Sequence, residues 1–365
     1  MKKKNFKSLI ALGFASTLVL AACGGATDDA ETDTSAGVDT TEETGGAAED
    51  FSIVMVTDFG GVDDKSFNQS AWEGMEEWGT EHGKSEGTDG YSHIVSQDES
   101  QFVTNLNTAL QNDFDLIYGI GFALQPAMSD VASQNPDQNF VIIDEQIDAE
   151  NVASVLFKDQ EAAFLAGVSA AHTTETGRVG FIGGMESDVI SRFEAGFRAG
   201  VAAVDPEIIV DVTYVGSFDN EGLGRSTAAT MYSNGADIIY HAAGAVGNGV
   251  FGEAIDRMNA GSDQDLWVIG VDRDQEEEGV YNDGNLTLTS TVKGVGAAVV
   301  DVTNQSMEGN FPGGQVTNYG LAEDAVGVTR GSLSDEAWAA VEDFKQQIID
   351  GDLVVPEDPS ELEEE

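Results

Sequence analysis

Thr57-Asp58-Phe59-Gly60-Gly61-Val62-Asp63-Asp64-Lys65-Ser66-Phe67-Asn68 is the stretch that decides how the chain is read. It follows an apolar run, Phe51 to Val56, with the character of a buried strand. It precedes a segment from Gln69 to Trp78 in which Ala71, Trp72, Met75 and Trp78 fall at helical spacing. A strand, a glycine-containing loop and a helix make the first half of a βαβ unit. In sheets built from such units, ligands bind at the carboxyl ends of the strands. The loop offers carboxylates, an amide and an aromatic ring, which suits a polar ligand with a flat face. The plainer reading is an Asp-rich connection in which Ser66 or Asn68 caps the helix.

Upstream, Lys2, Lys3, Lys4 and Lys7 form a basic region, and Leu9 to Leu20 an apolar one too short for a comfortable membrane span. It ends in Leu20-Ala21-Ala22-Cys23-Gly24, which resembles a bacterial lipobox. The expectation is a signal peptide over 1–22 and a lipid on Cys23, the single cysteine of the chain. The mature protein then has no disulfide and no cysteine metal site. Residues 23–50 are rich in Asp, Glu, Thr, Gly and Ala and hold no aromatic residue, so a flexible acidic tether is expected there.

The charge excludes whole classes of partner. There are 66 acidic against 16 basic residues, for a formal net charge of -50. Removing the four leader lysines leaves 12 basic residues. A nucleic-acid backbone or an anionic lipid surface would be repelled by the body. The excess is dispersed along the chain, as a surface adapted to a salty habitat would have it. The run Glu361 to Glu365 reads as a frayed end, with the acidic tail placed at 356–365. His82, His93, His172 and His241 show no metal-ligand spacing, and neither a metal nor a cofactor is expected.

Downstream the alternation continues. Strand-like runs at Ser92–Ser96, Leu116–Gly119, Phe140–Ile143 and Val152–Phe157 are separated by helical ones. The pattern restarts with a helix over Gln160–Ala171. Strands follow at Arg178–Ile182, Ile208–Val215, Asp237–His241, Leu266–Val271 and Leu286–Val292, again with helices between, and a closing helix runs from Asp335 to Ile349, capped by Ser334. Gly244 to Gly249 reads as a glycine-rich turn before a helix over Phe251–Asn259. Phe193, Phe197 and Val201 recur at i, i+4, i+8 and read as core. Fully apolar strands alternating with helices predict parallel sheets covered on both faces. Two such series predict two lobes. Facing each other, their strand ends collect Asp58, Phe67, Asn68, Phe122 and Asp144 on one side, and Phe218, Gly244, Asp272 and Lys293 on the other. Each lies just after a predicted strand.

The chain resembles the basic membrane protein lipoproteins, the purine-nucleoside-receptor type of ABC-transporter substrate-binding protein. The resemblance is carried by Gly61-Val62-Asp63-Asp64-Lys65-Ser66-Phe67-Asn68 with Trp72-Glu73-Gly74, by Phe164-Leu165-Ala166-Gly167, by Phe193-Glu194-Ala195-Gly196-Phe197, and by Gly270-Val271-Asp272-Arg273-Asp274-Gln275. It implies an α/β type I periplasmic-binding-protein fold, two Rossmann-like parallel-sheet lobes joined by three crossovers near Phe157, Val292 and Tyr319. The expected lobes are 51–157 plus 292–318, and 158–291 plus 319–355. It further implies a nucleobase clamped between Phe67 and Phe218, with base-edge contacts on Asp58, Ser66 or Asn68, and Asp144. Ribose contacts fall on Gly244, Asp272 and Lys293, with Lys293 paired to Asp272. The expected protein is a lipid-anchored monomer on the outer face of the cell membrane. It hands a purine nucleoside to an ABC permease and performs no catalysis.

Other readings of the residues stay open at this level. Asp58 to Asp64 is reminiscent of the Asp-x-Asp-x-x-x-Asp-Asp calcium motif of nucleoside hydrolases, but Val56 stands at its first Asp and one extra residue separates Asp58 from Asp63-Asp64. A sugar or autoinducer receptor would share the fold. A surface sensor or adhesin has no positive signal in the chain.

Overall fold

The computed structural model describes residues 50–282 and 284–363. The expected signal peptide, the tether as far as residue 49 and Cys23 lie outside these described residues. No helix among them is long and apolar enough to cross a membrane.

The strands are β1 (Ile53–Thr57), β2 (Tyr91–Ile94), β3 (Leu116–Ile120), β4 (Asn139–Ile143) and β5 (Val152–Phe157), interleaved with α1 (Phe67–His82), α2 (Phe102–Gln111) and α3 (Gln125–Gln134). A second series follows: α4 (Asp159–Thr173), β6 (Arg178–Gly183), α5 (Asp188–Val204), β7 (Ile209–Tyr214), α6 (Glu221–Ser233), β8 (Ile238–Ala242), α7 (Val246–Asn259) and β9 (Trp267–Gly270). A short hairpin, β10 (Val280–Tyr281) and β11 (Gly284–Asn285), precedes β12 (Thr287–Lys293). The chain closes with α8 (Val295–Met307), β13 (Val316–Tyr319), β14 (Val326–Val328) and α9 (Asp335–Asp350).

Two six-stranded sheets result, ordered β13-β5-β4-β3-β1-β2 and β14-β12-β9-β8-β6-β7. All pairings are parallel except the edge pair β12–β14. Counted within each sheet, the first five strands run 2-1-3-4-5, the flavodoxin-like winding. β12 stays in the second sheet through Lys293, β13 returns to the first through Tyr319, and β14 ends in the second. The chain therefore passes between the lobes three times.

Apolar patterning explains why β1 lies between two helical layers. Ile53 and Met55 pack with Trp72, Met75 and Trp78 of α1 on one face, while Val54 and Val56 pack with Phe102, Leu106 and Met128 on the other. Successive side chains point to opposite faces, so only an all-apolar strand fits between two helical layers.

Three local differences from the sequence reading have physical causes. First, α1 begins at Phe67, and neither Ser66 nor Asn68 caps it. The Asp64 carboxylate accepts from the backbone N–H groups of Ser66 at 2.8 Å, Asn68 at 3.0 Å and Gln69 at 3.1 Å. Second, Gly247 and Gly249 lie inside α7 instead of forming a turn. A side-chain carbon on Gly249 would strike the Glu221 carbonyl of α6, and one on Gly247 the His241 ring, so these glycines permit a close crossing. Third, the C-terminal end is not frayed as far as it is described. Pro359–Glu363 forms a 3-10 turn against α5, and Gln160 donates to Glu357 at 3.2 Å.

The motifs around Gly167 and Gly196 hold α4 against α5. Gly167 faces the Phe197 carbonyl, Gly196 the Gln160 carbonyl and Gly200 the Phe164 carbonyl, too close for any side chain. That crossing fixes the amino end of α5 beside the cleft.

Candidate functional site

The carboxyl ends of the two parallel series meet across a cleft that encloses a cavity of about 550 Å³, open solvent included. Nine of the ten expected ligand contacts line it: Asp58, Phe67, Asn68, Phe122 and Asp144 from one lobe, and Phe218, Gly244, Asp272 and Lys293 from the other. Asp58 follows β1 and Phe122 follows β3, the switch point of the first sheet; Gly244 follows β8, beside the switch point of the second. Ser66 does not reach the cavity. It is fully buried, and its hydroxyl is spent on the Asp272 carboxylate across the cleft.

Phe67 and Phe218, the expected pair, both line the cavity, and Phe218 also meets two other rings. Phe218 stacks on Phe59, with centroids 6.2 Å apart and planes 21° from parallel, and meets Phe122 edge-on at 6.2 Å. Two stacking separations of about 3.5 Å each exceed that gap, so no base fits between Phe59 and Phe218 as they stand. Phe67 lies beneath Lys293, whose ammonium is 5.2 Å from its centroid.

The cleft is shut by contacts between the lobes. Lys293 Nζ donates to Asp144 Oδ2 at 2.6 Å. Gln275 Nε2 donates to the Lys65 carbonyl at 2.8 Å. Arg273 forks onto Glu73, with Nη2 at 2.6 Å from one oxygen and Nε at 3.1 Å from the other. The expected Lys293–Asp272 pair is replaced: the ammonium sits between Asp144 and Asp159, 3.0 Å from the latter. At the carboxyl end of β12 the lysine reaches forward over the strand ends of the first lobe, while Asp272 turns to Ser66.

Carboxylates dominate the electrostatics. Asp58 is 6% exposed, and burial, reinforced by Asp64 and Asp144, pushes it up to about 8 despite the bond it accepts from the Phe59 N–H at 2.6 Å. Gly121, at φ +112°, lies flat against this carboxylate, where a side chain would collide. Burial also raises Asp64. Asp272 is pushed up to about 7 by burial, with Lys293 and the Ser66 hydroxyl opposing. Burial alone would lower Lys293; Asp144, Asp159 and Asp272 together outweigh it and hold the ammonium above its ordinary value.

Two acceptors on the wall are buried without a hydrogen-bond partner, Asn68 Oδ1 and Asp144 Oδ1. The Asn68 orientation is fixed by its own Nδ2, which donates to the Phe59 carbonyl at 3.0 Å and Asp64 at 3.2 Å. A ligand that satisfies this wall brings N–H or O–H donors.

His241 plays no part in the cavity. It is fully buried, burial lowers it to about 4, and its Nε2 is 3.1 Å from Gln275 Oε1. That oxygen only accepts, so the ring is the Nε2–H tautomer. The same oxygen accepts from the Val271 N–H at 2.9 Å.

Several lining residues escaped the sequence reading: Phe59, Asp64, Gly121, Val189, Ile190 and Phe193. Phe59 and Asp64 belong to the decisive loop and could have been included with it. Gly121 immediately precedes Phe122. Val189, Ile190 and Phe193 come from the amino end of α5, where Ser187 Oγ accepts from the Ile190 N–H at 3.2 Å. Phe193 is both core, at 4% exposed, and wall.

Two lobes wound alike, three crossovers and a shut cleft between the strand ends define a substrate-binding protein of the type I periplasmic fold. Residues 51–359 match the family described as ABC transporter substrate-binding protein PnrA-like, and the chain belongs to that family. A Listeria innocua serovar 6a protein named CD4+ T-cell-stimulating antigen is 47% identical over 367 residues, spanning 98% of this chain and 100% of its own. The ABC transporter nucleoside-binding protein BmpA of Lactococcus lactis subsp. cremoris is 43% identical over 361 residues, spanning 97% of this chain and 99% of its own. A crystal structure of an ABC transporter solute-binding protein from Aeropyrum pernix K1 superposes with a TM-score of 0.74 at 27% identity, covering 85% of this chain and 95% of that one. The chain is therefore an extracytoplasmic substrate-binding protein that serves an ABC permease, and not an enzyme.

Proposed function

We propose that the protein binds a nucleoside, of the purine class, in the cleft between its lobes. The observation that carries this is the pairing of unused buried acceptors, Asn68 Oδ1 and Asp144 Oδ1, with the aromatic faces of Phe67, Phe122 and Phe218 around one cavity. A flat ring with N–H groups on its edge answers both. Asp58, Asn68 and Asp144 take the base edge; Gly244, Asp272 and the Lys293 ammonium take the ribose. The nucleoside-binding relative supports this reading. Both walls come from one chain, so a single copy holds the whole site and a monomer suffices. Calorimetry against nucleosides, free bases and sugars tests the assignment. A purine nucleoside is expected to bind well below about 100 μM, a threshold worth about -5.5 kcal/mol. Binding of ribose or a hexose without a base, with no nucleoside bound at that concentration, would overturn it.

We further propose that Cys23 carries the lipid that tethers the protein to the membrane, on the strength of the Leu20-Ala21-Ala22-Cys23 sequence. Cys23→Ala is expected to shed the protein from the membrane fraction or leave it unprocessed. Normal processing and membrane retention would exclude the anchor.

A further inference from the structure

Lys293 has a second carboxylate partner that the sequence did not suggest. Asp159 opens α4, two residues after β5 ends and the chain leaves the first lobe. Its side chain is 1% exposed, its Oδ1 lies 3.0 Å from Lys293 Nζ, and its Oδ2 lies 3.5 Å from Arg192 Nη2 on α5. Asp144, Lys293, Asp159 and Arg192 thus form a chain of alternating charge along the cleft floor. Three rings surround the ammonium as well: Phe67 at 5.2 Å, Phe157 at 5.1 Å and Phe193 at 5.7 Å.

The two carboxylates are not equivalent. Asp144 follows β4, in the first sheet. Asp159 belongs with Lys293: α4 packs on β12, β14, α5 and α9, all elements of the second lobe. Rotation of one lobe against the other displaces Asp144 from Lys293, while Asp159 and Arg192 travel with it. A buried ammonium left without a counter-charge is costly. A counter-charge on its own lobe offsets that cost in every orientation.

We infer that Asp159 is a positioning residue for ligand binding, keeping the Lys293 ammonium paired and aimed into the cleft whether the lobes are apart or together. This rests on the nucleoside reading and on the assignment of Lys293 to the ribose. Arg192 supports Asp159 from behind and does not reach Lys293.

The test combines calorimetry with NMR of the lysine side chain in the purified protein. The charged groups facing Lys293 are Asp144, Asp159 and Asp272, with Arg192 behind Asp159. Asp159→Asn is expected to weaken a purine nucleoside about tenfold or more, to leave the matching free base within about twofold of wild type, and to lower the Lys293 titration. Asp159→Glu returns the charge and is expected to restore that titration. A purely structural contribution at the start of α4 would leave the titration unmoved in Asp159→Asn and weaken base and nucleoside together; either result overturns the inference. Should Asp159→Asn not fold, Asp159→Glu, which keeps the charge but moves it, decides: a nucleoside weakened more than the matching free base supports the inference, and equal losses overturn it. Failure of the wild type to bind any nucleoside would instead sink the nucleoside reading, which the base-and-nucleoside panel detects separately.

Discussion

Asp144 and Asp272 occupy the same place in the two lobes. Each follows the fourth strand of a 2-1-3-4-5 sheet, β4 in one and β9 in the other. Each adopts a left-handed backbone, at φ +71° and +66°, a conformation that Asp tolerates better than most residues. Each also sends its carboxylate to the opposite lobe, Asp144 to the Lys293 ammonium and Asp272 to the Ser66 hydroxyl. The site is thus closed by two reciprocal contacts from equivalent positions.

The first prediction concerns Asp272. Asp272→Ala removes the proposed ribose acceptor and strands the buried Ser66 hydroxyl. An unsatisfied buried group costs about 1–3 kcal/mol, so nucleosides should bind about tenfold or more weakly while free bases change little. Equal losses for adenine and adenosine, measured by calorimetry, would contradict the ribose assignment.

The second concerns the rings. Phe218 is one of the aromatic residues that the second lobe contributes to the cavity, and in the shut cleft it rests on Phe59. Phe218→Ala should cost a purine nucleoside about 1–3 kcal/mol, the range for loss of one base-stacking partner. Phe59→Ala tests whether Phe59 remains in the stack once ligand is present. A much smaller loss there would show that Phe59 merely fills the empty slot.

The third prediction is a proton release. Asp58 at about 8 and Asp272 at about 7 both stand far above an ordinary carboxyl near about 3.9. In the ligand-free protein at neutral pH they hold protons that the unfolded chain does not. Their contribution to stability is therefore fully present below about pH 4 and is lost as pH rises toward 7–8. A ligand that donates N–H or O–H groups to them favours the ionised forms, so binding expels protons and affinity rises from about pH 6 to about pH 8. Calorimetry at pH 7 in two buffers of different ionisation enthalpy reads the release directly, and Asp58→Asn should reduce it. Binding heats that do not depend on the buffer would rule this out.

The fourth follows from the charge of -50. The screening length is about 30 Å at 0.01 M salt and about 3 Å at 1 M, so self-repulsion acts over the whole surface in dilute buffer and over near neighbours only in brine. The midpoint of thermal unfolding should rise across that range. A flat or falling midpoint would show that the acidic residues are paired well enough for screening to be immaterial.

Much of the fold was legible because apolar runs of strand length alternate with helical ones; β5 falls on the expected residues. Boundaries went astray where a side chain from outside the element sets them. Asp64 caps α1 from three residues upstream, and the glycines of α7 read as a turn because a helix crossing tight enough to demand them has no signature along the chain. The hairpin of β10 and β11, at two residues a strand, is too short for any period to show. Nine site residues could be placed because each directly follows a strand or opens the helix after one. Their pairings could not be. That Phe59 stacks on Phe218 depends on the path of the loop, and the meeting of Lys293 with Asp159 depends on where two crossovers pass each other.

The carboxylates that crowd the cavity have one more consequence. Asp58, Asp64, Asp144 and Asp272 surround a single ammonium there. On the nucleoside reading a nucleotide would carry its phosphate toward these groups, and at an effective dielectric of 20 each of them that is ionised opposes it at about 4 Å by about 4 kcal/mol. On that same reading the cleft sorts its solutes by esterification, and nucleotides shed outside the cell stay outside until a phosphatase has worked on them. An importer supplied by such a protein depends on hydrolysis in the surroundings, and what it salvages is only as abundant as that prior reaction makes it.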